Sequence, residues 1–144
     1  GINKIMSEMY VRKFSKDYLI FRLGGLVGDK LRKNPIYDIF NRKKLFTSIK
    51  SEMNFIHTDF IPEIIFKLIN KKIKNETFNL AASNTISLKK ILDTHKIKKI
   101  YHVKNYKNQK QIYRINTKKI MKHTSLPKSE VSINNYILSL NEKK

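Results

Sequence analysis

Apolar positions fall at helical spacing in the first stretch of the chain. Ile5, Met9 and Val11 with Tyr10 and Phe14 predict a helix over Gly1 to Phe14, with no Pro or internal Gly to interrupt it. The pattern then changes: Tyr18 to Leu23 is almost continuously apolar and β-prone, which predicts a buried strand, and Gly24 to Asp29 predicts the loop that ends it. Asn34-Pro35 predicts a second helix start, with Ile36, Ile39 and Phe40 on one face. Short strands follow at Leu45 to Ile49 and Phe55 to Thr58. Asp59 is the expected cap of an amphipathic helix running to about Lys72, its apolar face being Phe60, Ile61, Ile64, Ile65, Leu68 and Ile69. Thr77 to Ala82 reads as a strand, Ser83-Asn84 as a turn, and Ser87 as the cap of a helix to His95. A strand at Ile100 to Val103, a polar loop at Tyr106 to Gln111, and helices at Thr117 to His123 and Ser129 to Leu140 complete the chain. The alternation is that of an α/β protein, and it begins in the middle of such a pattern.

The 144 residues, 40% of them hydrophobic, suffice for one modest domain with a core. They do not suffice for a cofactor domain together with a substrate domain. There is no Cys, which excludes disulfides and thiolate metal sites, and His57, His95, His102 and His123 lack metal-ligand spacing, so no metal site is expected. No apolar run approaches the roughly 18 residues of a membrane span. Gly1 to Lys16 carries charge throughout and has no apolar leader core, so a cytoplasmic protein is expected.

Charge adds a second possibility. Lys and Arg number 31 against 11 Asp and Glu, a formal net charge of +20. No acidic residue lies between Asp93 and Glu130, and Tyr101, Tyr106 and Tyr113 are interleaved with the cations there. Basic residues with aromatics can form a platform for single-stranded nucleic acid. Only Arg12, Arg22, Arg32, Arg42 and Arg114 are Arg, however, and Lys excess together with Ile and Asn is what an AT-rich coding sequence produces. The favoured reading is a solvated basic face with core or half-buried tyrosines. A small basic nucleic-acid-binding module is kept as the alternative.

The candidate chemistry starts at Lys4, which stands one helical turn before Glu8 in Gly-Ile-Asn-Lys-Ile-Met-Ser-Glu. Taken alone, Lys4 in so Lys-rich a chain is a solvated helix residue. Downstream come Phe21-Arg22-Leu23-Gly24-Gly25-Leu26-Val27-Gly28, then Asn54-Phe55-Ile56-His57-Thr58-Asp59, then Thr77-Phe78-Asn79-Leu80-Ala81-Ala82 with Ile86-Ser87-Leu88, and Tyr113-Arg114-Ile115-Asn116-Thr117 near the end. In this order and spacing the chain resembles the C-terminal part of an extended short-chain dehydrogenase/reductase of the NAD-dependent epimerase/dehydratase family, starting just after the catalytic Tyr. Arg22, Gly24 and Gly28 match the family's Arg-Pro-Gly-x-Val-Tyr-Gly loop, and Phe55, Ile56, His57 and Asp59 match its Arg-Asp-Phe-Ile-His-Val-Asp-Asp segment. Leu23 and Val27 depart from the first. In the second, Met53 replaces the Arg that grips a nucleotide diphosphate in many members, and Asn54 replaces Asp.

The resemblance implies a C-terminal part of a Rossmann-type NAD(P)-binding fold with its small α/β substrate-binding lobe. Residues 1–33 would be the catalytic helix and last core strands, and residues 34–144 the substrate-binding lobe and C-terminal helices. Lys4 would be catalytic and cofactor-binding: its ammonium lowers the hydroxyl pKa of a Tyr preceding Gly1, ordinarily near 10, and holds the nicotinamide ribose. Leu23, Gly24 and Gly25 would line the cofactor's nicotinamide end, where glycine lets backbone approach a ligand. Asn34, Met53 and Asn54 would face a sugar-like, nucleotide-sugar substrate, within a loop from Gly28 to Asn34 and a segment from Met53 to His57. His57 is expected to be a structural hydrogen-bonding residue. The implied cofactor is NAD or NADP in a longer parent, which would be an epimerase, dehydratase or reductase and possible homodimer; the 144 residues alone are expected to be inactive. A non-catalytic binding member of the same fold is a further alternative.

Overall fold

The computed structural model describes residues 1–102 and 109–141. The chain opens with helix α1 (Ile2–Phe14), strand β1 (Leu19–Leu23) and strand β2 (Gly25–Val27). Helix α2 (Pro35–Phe40) and strands β3 (Lys44–Leu45), β4 (Glu52–Met53) and β5 (Phe55–His57) follow. Helix α3 (Phe60–Asn70), strands β6 (Glu76–Leu80) and β7 (Ile86–Ser87) and helix α4 (Leu88–Thr94) come next, then β8 (Tyr101–His102), β9 (Ile112–Tyr113), α5 (Lys118–Met121) and α6 (Ser129–Asn141).

The pairing is mostly parallel. β1 lies on β6, with Leu19 opposite Glu76 and Leu23 opposite Leu80. β2 lies on β5 and β3 on β8, both parallel. β4 is the centre of a small mixed sheet, antiparallel to β7 and parallel to β9. Among the described residues β1 has no partner on its other edge.

Two apolar clusters organise these elements. One surrounds Phe78, Leu80, Ile64, Leu68 and Ile120, so α3 and α5 cover the face of the β1–β6 pair that also carries Leu19 and Phe21. The other gathers Ile36 and Ile39 of α2, Leu45, Phe55, the buried face of α4, and Ile133 and Tyr136 of α6. β1 takes its partner from β6, so packing runs across the division at residue 33.

Several elements differ from expectation. Gly25–Val27 is a strand rather than a loop. Glycine there lets the chain close on its neighbour: a Cβ on Gly25 would lie 2.5 Å from the Asn54 carbonyl oxygen. The strand expected over Leu45 to Ile49 stops at Leu45. Thr47 is hydrogen-bonded to the Ser51 hydroxyl at 2.7 Å, and the Ser48 hydroxyl accepts from the Lys50 N–H at 3.2 Å, local bonds that favour a turn over a ladder. Asp59 precedes α3 without a side-chain cap bond, whereas Asn34 and Ser87 accept from the N–H of Tyr37 and Lys90 as real caps. Ile69, expected on the buried face of α3, is 52% exposed. Val103 and the loop from Tyr106 to Asn108 lie outside the described residues.

The largest departure is α1. Its helical spacing is right, yet none of its residues is buried; Met9 is 64% and Phe14 69% exposed. Of the apolar face only Val11 is partly buried, and α1 meets the sheet through hydrogen bonds of Glu8 and Arg12.

Candidate functional site

α1 runs antiparallel to β1, and its charged residues fix the register. The Arg12 guanidinium donates to the Thr77 hydroxyl at 2.9 Å, and Thr77 stands opposite Ile20. One turn nearer the helix start, Glu8 accepts from Arg22 Nε at 2.8 Å and Nη2 at 2.7 Å. A helical turn advances about 6 Å per four residues and a strand about 6.6 Å per two. Extended one more turn, the register brings Lys4 level with Gly24, at the carboxyl end of β1. Lys4, Glu8 and Arg12 share one helix face. Lys4 itself is exposed, and no ion pair or side-chain hydrogen bond engages it among the described residues.

By this extrapolation Lys4 falls toward the end of the parallel pair where Leu23 and Gly24 lie, and the carboxyl ends of parallel strands are where open α/β sheets bind ligands. Leu23 is 49% exposed there. The structure gives both glycines a packing reason. A Cβ on Gly24 would lie 2.7 Å from the Ala81 Cβ and from Ile115 Cδ1, and one on Gly25 would strike the Asn54 carbonyl. The chain's own packing fills the space of both missing side chains. Arg22 holds the Glu8 carboxyl below its usual range through its hydrogen bonds, and the same contact raises the guanidinium.

The residues expected at the substrate divide. Asn34 and Met53 line one cavity of about 500 Å³, together with Arg32, Lys33, Thr47 and Gln111. Asn34 also caps α2, its side-chain oxygen accepting from the Tyr37 N–H at 2.8 Å. Thr47 donates to the Gln111 side-chain oxygen at 3.2 Å, and the Gln111 N–H donates to the Ser51 hydroxyl at 2.9 Å, so one wall is a fixed polar network. Asp38 lies at the same cavity, its carboxyl raised by burial against the opposing pull of Lys43.

Asn54 points inward. It is 3% exposed, donates to the Ala82 carbonyl at 2.8 Å and accepts from the Ile115 N–H at 3.0 Å. Both ends of its amide serve the framework. Phe55, Ile56 and His57 are also buried, so of the segment from Met53 to His57 only Met53 lines the cavity. His57 Nδ1 accepts from the Asp59 N–H at 3.3 Å. The neutral ring then carries its proton on Nε2, which finds no partner among the described residues.

Sequence reasoning missed Phe46, Thr47 and Gln111 at this cavity. Thr47 and Gln111 are 64 residues apart, and β9, which brings Gln111 in, is only two residues long. Arg32 and Lys33 lay within the loop expected to face substrate.

No protein-family model and no curated protein matches the sequence. Solved structures do match in fold. The Bordetella bronchiseptica enzyme WbmG in complex with NAD and UDP aligns with a TM-score of 0.74 at 16% identity, over 99% of this chain and 49% of that one. A dTDP-4-dehydrorhamnose reductase from Bacillus anthracis in complex with NADP gives 0.71 at 16% identity, over 96% and 53%. A UDP-glucose 4-epimerase from Thermotoga maritima with UDP-glucose gives 0.66 at 10% identity, over 96% and 52%. The chain spans about half the length of these solved proteins, and its fold is that of the C-terminal half of Rossmann-type epimerase and reductase structures.

Proposed function

We propose that this chain is the catalytic-helix and substrate-lobe part of an NAD(P)-dependent enzyme that epimerises, dehydrates or reduces a nucleotide sugar. The observation that supports the reading is the α1–β1 register: continued one turn beyond the Glu8–Arg22 contact, it runs toward the carboxyl end of the β1–β6 pair, the end of Leu23 and Gly24, on the side of Lys4. Lys4 fits the role: it is exposed, unpaired among the described residues, and one turn from the position before Gly1 where the resemblance sets a tyrosine. An ammonium there favours the phenolate and lets that hydroxyl move a proton near neutrality. NAD or NADP, bound by an upstream half, would supply hydride transfer. Leu23, half exposed at the strand end, offers an apolar contact to the ring that reacts.

The cavity of Asn34 and Met53 suits the substrate. Met53 cannot grip a diphosphate, but Arg32 and Lys33 line the same cavity and supply positive charge. Thr47 and Gln111 offer hydroxyl and amide groups to a sugar.

The test is to sequence the coding region upstream of Gly1, express the full-length product, and assay it with NAD(P) and nucleotide sugars. Lys4→Met should lower turnover by about 10²-fold or more while the protein still melts as the wild type does. An upstream region without a tyrosine codon or a dinucleotide-binding half, or unchanged turnover in Lys4→Met, would defeat the reading.

A further inference from the structure

A second cavity, of about 550 Å³, lies beyond the last turns of α2 and α4. Arg42, Lys96, Lys98 and Lys99 line it, and no carboxylate does among the described residues. Ile39, Phe40, Ile97 and Tyr101 make up the rest of its lining. It is separate from the cavity of Asn34 and Met53. Arg42 comes just before β3 and Tyr101 opens β8, whereas Phe46 and Thr47, just after β3, line the other cavity. Since β3 and β8 are parallel, the two cavities lie at opposite ends of that pair.

Nothing in the described chain neutralises this site. No salt bridge or side-chain hydrogen bond engages Arg42, Lys96, Lys98 or Lys99 among the described residues; Lys99 Nζ only approaches the Tyr101 ring, 5.4 Å from its centroid. Arg42 and Lys96 also hold left-handed backbone, with φ of 52° and 54°, just past the ends of α2 and α4 where Gly or Asn is the ordinary occupant. Lys72 does the same after α3, at 55°, so one cation at a helix end is routine in this chain. Two of them meeting at one cavity, with Lys98 and Lys99 beside them, is the distinguishing feature. Tyr101 is half-buried, as expected for a tyrosine of this basic stretch, and 42% of it remains exposed.

We infer that this cavity binds a nucleotide unit, its phosphate held by Arg42, Lys96, Lys98 and Lys99 and its planar base laid against Tyr101. The unit is either a free nucleotide or part of a single strand of nucleic acid. Cations set beside an aromatic ring are the elements of such a site: the charges fix the phosphate and the ring takes the base by its face. The inference does not depend on the enzymatic reading of the other end of the lobe.

With a net charge of +20 the competing explanation is diffuse attraction, so the test compares equal charge removals. Binding of a labelled oligouridylate to the 144-residue chain is followed by anisotropy across a salt series. The site variant R42Q/K98Q/K99Q is set against K50Q/K89Q/K122Q, which removes three exposed lysines elsewhere, with thermal melts to confirm that both fold. The site variant should weaken binding about tenfold or more and flatten the salt dependence by about 2 in slope, at roughly 0.7 per phosphate contact on a single strand. The control should keep the wild-type slope. Tyr101→Leu should weaken binding about fivefold or more with the slope unchanged. Displacement by UTP identifies a free nucleotide as the natural unit; resistance to UTP identifies a strand. Equal losses in the two triple variants, wild-type affinity in Tyr101→Leu, or no saturable binding of either probe would overturn the inference.

Discussion

Glu8 and Arg22 form a two-point contact between α1 and β1, at 2.8 and 2.7 Å, in a helix that buries none of its own residues. With little apolar burial to hold α1 on the sheet, this fork and the Arg12–Thr77 bond set its position, and with it that of Lys4. Glu8→Gln should therefore loosen α1 selectively. Amide exchange in Ile2–Phe14 should accelerate while the β1–β6 core keeps its protection. The fork also sets a pH dependence. Arg22 lowers the folded Glu8 pKa below the ordinary carboxylate value of 4.5, so folded protein binds fewer protons than unfolded in that window. The stabilisation is complete above about 4.5 and fades as pH falls through the lower folded value. Uniform protection across α1 and the core in Glu8→Gln would show that something else holds the helix.

Gly24 and Gly25 are both closely surrounded, and that predicts a cost for a side chain at either. A Cβ on Gly25 meets a backbone oxygen at 2.5 Å, and one on Gly24 meets the rigid, buried Ala81 Cβ and the end of the Ile115 side chain, both at 2.7 Å; only the Ile115 end can rotate away. Gly25→Ala and Gly24→Ala should each destabilise by about 1–3 kcal/mol in urea unfolding. Gly1→Ala, with nothing within 4 Å, is the neutral control. A Gly24→Ala or Gly25→Ala variant as stable as Gly1→Ala would show that the turn has room for a side chain at that position.

Long, strongly patterned elements were legible in the sequence: α1, β1, α3, β6, α4 and α6 lie within a residue or two of where periodicity sets them. So was the order of motifs, which gave the fold. The rest was not, for identifiable reasons. β4, β7 and β9 are two residues each, too short to show alternation, yet they bring Gln111 to Thr47. Phe55, Ile56 and His57 are buried in succession, so no period-2 pattern marked which way Asn54 would turn. The apolar face of α1 predicted a helix correctly, but helical spacing does not tell whether such a face is buried, and among the described residues it is exposed. The exposed Tyr101 and the clustering of Arg42 with Lys96 depend on two helix ends meeting, which composition does not encode.

Asn54 joins three segments through one buried amide. Asn54→Ala would leave the Ala82 carbonyl and the Ile115 N–H without their partner, at a cost of about 2–3 kcal/mol. Asn54→Asp keeps the acceptor for Ile115 but loses the donor to Ala82 and buries a charge, so it should be at least as destabilising. Urea unfolding of both variants checks this. A near-neutral Asn54→Ala would return Asn54 to the exposed, substrate-facing position that its place in the motif suggested.

Glu130, at the start of α6, provides a pH dependence with a defined window. Burial acts to raise its carboxyl, but hydrogen bonds from Asn84 and Lys90, each at 2.9 Å, outweigh it and bring the pKa down to about 2 from 4.5. Asn84 also accepts from the Ser129 N–H at 2.8 Å, and the Ser129 hydroxyl in turn accepts from the Phe55 N–H at 3.0 Å. The carboxylate thus braces the network that ties α6 to β5. Between pH 4.5 and about 2 the unfolded chain takes up a proton at Glu130 that the folded chain does not, so this contribution is present above 4.5 and lost as pH falls toward 2. Glu130→Gln removes it. Thermal melts of wild type and variant should differ near neutrality and converge as pH approaches 2, whereas a difference that persists undiminished to pH 2 would mean that Glu130 acts through packing and not through its charge.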